Sequence, residues 1–230
     1  MNSCSHALHL AIVKLRMSNE KLYIIILLIP MSLIVSGIIQ GLKLYPKLGV
    51  NQRLIVLALV IAALTEILSR VFLSLGIRNY VIYHFYVPLS YTIYSGCFRS
   101  TFRELWSRLI KRSIVLIWGL AIANLIWLQG FQELNTNITV LTSTFLVCMC
   151  IGLFFKMLNE MLYQRVEKSS MFWINIGLMV YYSSSLLLFA FSGWISELAL
   201  EFSVGVWILH LFFNFIHYLC FNIALWMDPE

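Results

Sequence analysis

The stretch 54-LIVLALVIAALTEILSRVFLSLG-76 decides the fold. A helix takes about 20 residues to cross a hydrocarbon core about 30 Å thick, and this run is long enough and almost wholly apolar. It holds two charges, Glu66 and, one helical turn later, Arg70. Glu66 is the only one of the 10 acidic residues to fall inside a long hydrophobic segment. Charge in hydrocarbon is costly and usually faces other helices or a cavity, so the pair marks where function is to be sought. Positions i and i+4 share a helix face, the spacing of an intrahelical ion pair.

Further runs of spanning length lie on either side, near residues 22–42, 80–98, 113–129, 137–158, 171–193 and 203–226. With 54–76 they predict an all-α, polytopic transmembrane bundle of seven helices. The connections are short, so residues 21–230 read as one seven-helix transmembrane domain and residues 1–20 as a mobile N-terminal extension. Within that extension Ala7–Val13 is too short to span and lacks a clear small-residue cleavage site. No period repeats along the chain. Residues 1–100 and 130–226 differ in their placement of Pro, His and charge, which does not support a transporter duplicated from two related halves.

The composition agrees. Of 230 residues, 61% are hydrophobic and 11% charged, with a mean hydropathy of +0.87. A water-soluble domain of this size has too much surface relative to its volume to hide so much apolar area, so the bilayer is the fitting solvent. The net charge of +6 does not imply nucleic acid. The basic residues sit in short loops, and there is neither a Gly-rich phosphate loop nor a basic-aromatic stripe. The five cysteines, Cys4, Cys97, Cys148, Cys150 and Cys220, read as small buried hydrophobes with no disulfide framework.

Charge bias sets the expected orientation. Lys43, Lys47 and Arg53 follow the first helix. Arg99, Arg103, Arg108, Lys111 and Arg112, against Glu104, follow the third, and Lys156, Arg165 and Lys168 follow the fifth. The opposite side carries Arg78, Glu133, Glu197 and Glu201, with Lys14, Arg16 and Lys21 dissenting. The balance predicts the N-terminus outside and the C-terminus inside. Asn137-Ile-Thr is then a formal glycosylation sequon on the outer side.

At a rise of 1.5 Å per residue, Glu66 is expected near mid-membrane with Arg70 about 6 Å farther out. His84 falls in the outer third of the third helix, His210 and Asn214 in the outer half of the seventh, and His217 near its middle. Tyr91, Asn124, Tyr181, Tyr182 and Ser183–Ser185 add polar groups at related depths. Pro88 leaves the carbonyl of His84 without its helical hydrogen bond, which predicts a kink. The candidate ligand-binding or coupling residues are therefore Glu66, Arg70, His84, Tyr91, His210, Asn214 and His217. Each also has a structural reading: an ion-pair clamp for Glu66–Arg70, an interfacial ring among Tyr80, Tyr83 and Tyr86 for His84, and interhelical hydrogen bonding for the helix-7 stripe.

Spacing argues against several chemistries. His210 and His217 are about 10 Å apart along a helix axis and cannot chelate one ion together. Glu66, His84 and His210 remain as a two-His-one-carboxylate alternative, and no cofactor is implied. The only aspartate, Asp228, lies at the extreme C-terminus, which removes intramembrane aspartyl proteases and aspartate-rich prenyltransferases. There is no Gly-x-Ser-Gly for a rhomboid-type protease and no lysine in helix 7 for an opsin-like Schiff base. Where alkaline ceramidase-like hydrolases need His-x-x-x-His in the last helix, this chain has His210-Leu-Phe-Phe-Asn214.

In helix 6, "MFWINIGLMVYYSSSLLLFAFS", and helix 7, "WILHLFFNFIHYLCFNIALW", the chain resembles a group of small seven-helix integral membrane proteins common in Bacteroidota. Phe172, Trp173, Asn175, His210, Asn214 and His84 stand at the matching positions, and the likeness runs across helices 2–7. Where the group has an acidic residue six positions after the helix-3 histidine, this chain has Ser90. The resemblance implies the architecture and a multi-pass place in a bacterial inner membrane. It supplies no function to carry over.

The reading these residues support is a non-enzymatic membrane sensor or receptor-like subunit. A small or lipidic ligand would enter an outward-facing cavity lined by Glu66, Arg70, His84 and His210. With only "MDPE" after the last helix, the signal is expected to pass to a membrane or cytoplasmic partner at the basic loops. The alternatives are an intramembrane metal-dependent lipid hydrolase, a small transporter or channel with Glu66 as proton site, and a purely structural subunit; a homo-oligomer is open.

Overall fold

Inside a bilayer every backbone N–H and C=O must be satisfied within its own segment or a closed barrel, so long apolar runs fold as helices. The computed structural model describes residues 20–159, 166–197 and 200–227, with side chains for 28–159, 166–195 and 205–227. Residues 1–19 of the expected N-terminal extension, and Asp228, lie outside the described residues. The elements are α1 (Glu20–Leu44), a 3-10 turn (Tyr45–Lys47), α2 (Val50–Ser74), α3 (Tyr80–Thr101), α4 (Glu104–Trp127) and α5 (Thr136–Asn159). A second 3-10 turn (Val166–Lys168), α6 (Ser170–Ala190), the short α7 (Ser192–Glu197) and α8 (Leu200–Ala224) complete the order. Among the described residues there is no β-strand. Six segments, 28–47, 50–74, 104–127, 136–159, 170–190 and 205–224, are long and apolar enough to cross a membrane. The chain is a multi-pass membrane protein.

The long helix outside those six is α3, with 22 residues. It packs against α2, α4 and α5, so it meets side chains where other helices meet lipid. Two of its polar side chains find partners on α4. Tyr91 Oη lies 2.7 Å from Ser113 Oγ, and Trp118 Nε1 donates to Thr92 Oγ1 at 3.0 Å, both across to α4. The helix runs on through Pro88, and Thr92 Oγ1 donates to the Pro88 carbonyl at 2.8 Å.

Several boundaries differ from those read off hydrophobicity, two of them with a plain local cause. Helix α2 stops at Ser74, not at 76, because Gly76 adopts φ 72°. Ile77 N–H then donates to Phe72 O at 2.9 Å and Gly76 N–H to Leu73 O at 3.1 Å, the paired bonds of a Schellman stop. Helix α4 begins at Glu104, about two turns before the expected 113. Arg103 is its extended N-cap, and Glu104 in the first turn favours the helix dipole. Arg108, Lys111 and Arg112 thus ride on helix and not in a loop, since basic side chains are good helix formers even where hydropathy is low.

In the bundle α1 packs on α2 and α8, α2 on α3, α3 on α5, α5 on α6, and α6 on α8. α4 lies outside this ring against α3 and α5. Small residues set the closest approaches. A Cβ at Gly41 would lie 2.3 Å from Val56 Cγ2, and one at Gly37 2.7 Å from Leu59 Cδ1. Gly37-x-x-x-Gly41 is the small-x-x-x-small spacing that lets two membrane helices touch. At Gly177 a Cβ would lie 2.9 Å from Cys220 Cβ, which joins α6 to α8.

Carboxamides lock one end of the ring. Gln52 Nε2 donates to Ala224 O at 2.8 Å and Met227 O at 3.0 Å, while its Oε1 accepts the Gly49 N–H at 2.9 Å and caps α2. Asn222 Nδ2 donates to Leu33 O at 3.0 Å. Gln40 Nε2 donates to Asn222 O at 3.1 Å. The end of α1, the start of α2 and the end of α8 therefore lie together. Lys43, Lys47, Arg53, Arg99, Arg103 and Lys156 belong to this same end.

Candidate functional site

Glu66 lies about 6 Å past the midpoint of the 25-residue helix α2, and Arg70 about 12 Å past it. Glu66 is half-buried and Arg70 exposed. Arg70 is thus near enough to the membrane boundary for its long stem to carry the guanidinium outward. The two side chains interact electrostatically, but the ion pair found among the described residues is Arg108–Glu104, at 3.6 Å on the surface of α4.

Half-buried Glu66 has tyrosines of three other helices near it. Tyr83 and Tyr86 of α3, Tyr181 of α6 and Tyr218 of α8 all lie within its electrostatic reach. Tyr83 and Tyr86, expected as neighbours of an interfacial His84, belong to this group. Four helices therefore contribute to one polar cluster. The signal for it was the recurrence of tyrosines in apolar segments, where their hydroxyls call for partners.

Tyr181 joins the cluster to the helix-8 histidines. Its ring centroid is 5.3 Å from that of His210 and 4.9 Å from that of His217, nearly parallel to the latter at 28°. The separation of seven that forbids shared chelation thus lets an aromatic ring from α6 sit between the two imidazoles. His217 is buried, and its Nδ1 donates to Gly177 O at 3.0 Å. Phe221, at 4.1 Å between centroids, closes its other side. His210 is half-buried among Tyr181, Phe189 and Trp207. Ser184 Oγ lies 3.5 Å from its Nδ1. Asn214, between the histidines on α8, is half-buried.

His84 and Tyr91 serve elsewhere. His84 Nε2 donates to the Glu133 carbonyl at 3.1 Å, and its ring meets Phe131 edge-on at 6.0 Å, fastening α3 to the α4–α5 connection. That connection is itself a carboxamide network. Asn124 Nδ2 donates to Gln129 Oε1 and Asn135 Oδ1, each at 3.2 Å, and Asn137 Nδ2 donates to Asn124 Oδ1 at 2.8 Å. The side-chain nitrogen of the formal sequon is therefore engaged. Tyr91 is fully buried against Ser113.

Of the seven candidates, then, Glu66, His210 and His217 share one tyrosine neighbourhood, Asn214 lies half-buried between the two histidines on α8, Arg70 is exposed, and His84 and Tyr91 are bonded elsewhere. Among the described residues no three of His, Cys, Asp and Glu converge as a metal set, so Glu66, His84 and His210 are not brought together. Described residues line one large cavity between α4 and α5 and another along α1 beside Trp226. Neither reaches Glu66 or His210. Comparison with protein-family models, curated proteins and solved structures finds no match for this chain.

Proposed function

We propose that the chain is a seven-span membrane sensor or receptor-like subunit, with α3 as the seventh span, the N-terminus outside and the C-terminus in the cytoplasm of a bacterial cell. The basic end of the bundle supports this orientation by the positive-inside rule. The resemblance carried by Phe172, Trp173, Asn175, His210 and Asn214 supports an inner-membrane location. A small or lipidic ligand with hydrogen-bonding groups engages the Glu66–Tyr181–His210 cluster, and a partner protein reads the result at the basic end.

One observation carries the proposal: the carboxylate of Glu66 lies within electrostatic reach of tyrosines from α3, α6 and α8. A group that only braced α2 would need one partner. A group shared by four helices changes their mutual packing whenever its own contacts change, which is what a coupling site requires. The cluster is closely packed, so ligand entry involves a small separation of α6 from α2 and α3.

The test is thermal stability of the purified protein across a metabolite and lipid panel. A ligand that raises the midpoint for the parent chain and for Arg70→Gln, but not for Glu66→Gln, supports the proposal. A panel with no stabilising member, or one whose effect survives Glu66→Gln, removes it.

A further inference from the structure

The bond from Gln52 of α2 to the Ala224 carbonyl of α8 fixes a common height for the two helices. Counted from it, Glu66 and His210 each lie fourteen residues along their own helix. At the helical rise that is about 21 Å for both, so a carboxylate and an imidazole stand at one level. Tyr181 of α6 links them: its ring centroid is 5.3 Å from that of His210, and it lies within electrostatic reach of Glu66. Ala62 and Ser69, at i−4 and i+3 from Glu66, share its helix face and are buried. That face of α2 is therefore turned to the bundle.

Both groups are acceptors that lack a donor. Among the described residues Glu66 forms neither a hydrogen bond nor an ion pair. Ser184 Oγ donates to the Tyr181 carbonyl at 2.7 Å, so towards His210 Nδ1, at 3.5 Å, the same oxygen can only accept. That contact selects the neutral tautomer with its proton on Nδ1. Nε2 then keeps its lone pair, and no hydrogen bond reaches it among the described residues. The rest of the neighbourhood is aromatic. Phe189 and Trp207 stand edge-on to His210, and Tyr83 and Tyr86 meet at 89° on α3. Arg70, one turn beyond Glu66, is exposed.

We propose that this site takes a protonated amine, an alkylammonium that carries at least one N–H. The inference rests on the sensor site proposed for Glu66 and names its ligand class. The ammonium donates to the Glu66 carboxylate and to His210 Nε2, its charge lies against the Tyr181 ring, and its alkyl part meets Phe189 and Trp207. An anion would face Glu66 as a like charge. A neutral ligand would leave a carboxylate in hydrocarbon without the opposite charge that offsets its cost. Hydrogen bonds from a cation to a carboxylate are also stronger than those from an alcohol.

Calorimetric titration of the full chain in phosphatidylcholine nanodiscs, with empty nanodiscs as blank, tests this. The probes are hexylamine, protonated at neutral pH, hexan-1-ol and hexyltrimethylammonium. Hexylamine is expected to bind at least about ten-fold tighter than hexanol, which lacks the charge, and than hexyltrimethylammonium, which lacks the N–H. That comparison needs no variant. Glu66→Gln abolishes the preference for amine over alcohol. Arg70→Gln leaves hexylamine bound as tightly or more tightly, since it removes a repelling charge, whereas it would weaken an anion. Nanodiscs that also contain phosphatidylethanolamine separate two sources of the ammonium: weaker hexylamine binding there assigns the site to the lipid's amine, and unchanged binding to a free one. Equal binding of amine and alcohol, a preference that survives Glu66→Gln, or weaker amine binding by Arg70→Gln would each overturn the proposal. If hexylamine fails while a neutral or acidic compound gives Glu66-dependent stabilisation, this inference falls and the sensor reading stands. If no compound stabilises the protein, both fall.

Discussion

Apart from the His84 bond to the Glu133 carbonyl, the two ends of the α1–α2–α6–α8 side of the bundle use polar side chains in opposite ways. At the basic end, Gln40, Gln52, Asn175 and Asn222 each donate to a backbone carbonyl of another helix or its extension. A carbonyl is fixed by its helix, so such bonds hold one geometry. Towards the other end, Glu66, Tyr181 and His210 face side chains, with the closest polar approach to His210 a long 3.5 Å from Ser184. Side chains can exchange partners more readily than a helix carbonyl can, so that half is the less firmly fastened one. Polar residues at similar depth are therefore fasteners in one half and candidates for function in the other, and the identity of the partner separates them.

The substitution expected to break this contrast most severely is Gly177→Leu. It lies where both halves depend on the α6–α8 contact, with Cys220 Cβ and the His217 carbonyl 2.9 and 3.1 Å from the added Cβ. Ordinary overpacking costs about 1–3 kcal/mol. Here the obstacle is partly backbone, so the midpoint of thermal unfolding in detergent should fall by at least that range. Gly119→Leu, with nothing within 4 Å, should leave it unchanged. Next in size is Gln52→Leu, which strips the donor from two carbonyls and the acceptor from the Gly49 N–H. A loss of about 1–3 kcal/mol is expected for the unpaired buried groups, read by unfolding in SDS. Glu66→Gln should cost less than Gln52→Leu while removing ligand stabilisation. A larger loss than that of Gln52→Leu would make Glu66 a fastener too.

Much of this was legible in the sequence, and what was not has a physical cause. The helical class and the spanning runs follow from length and hydropathy, quantities that belong to a segment alone. Helix α3 shows where that reading stops. Its Tyr91 and Thr92 are matched by Ser113 and Trp118 of α4, and hydropathy does not see a neighbour. The i, i+7 spacing of His210 and His217 could be read as one face of one helix, but not that Tyr181 enters between them from α6. For His84, the residue that fixes its role is the Glu133 carbonyl. Backbone acceptors carry no sequence signal, so a fastening histidine and a functional one look alike until the fold is known. Gly37-x-x-x-Gly41 was legible in principle as a close-packing motif.

The smallest expected effects come from the two helix-8 histidines, and they test the contrast most finely. Each lies against the Tyr181 ring, at 5.3 and 4.9 Å, so replacement by phenylalanine keeps an aromatic ring in both places. What differs is the hydrogen bond. His217→Phe leaves the Gly177 carbonyl without its donor at the closest α6–α8 approach. Interhelical hydrogen bonds in membranes average about 0.6 kcal/mol and reach about 1.7, so a fall of about 1 kcal/mol is expected in SDS unfolding. His210→Phe forfeits only a long approach to a serine that already donates to the Tyr181 carbonyl, and its stability should change by less than about 0.5 kcal/mol. The order reverses for ligand response. His210→Phe should weaken the ligand-induced shift, because the ring nitrogens are its only polar atoms among Tyr181, Phe189 and Trp207. Equal stability losses for the two variants would erase the distinction between the halves at a helix that passes through both.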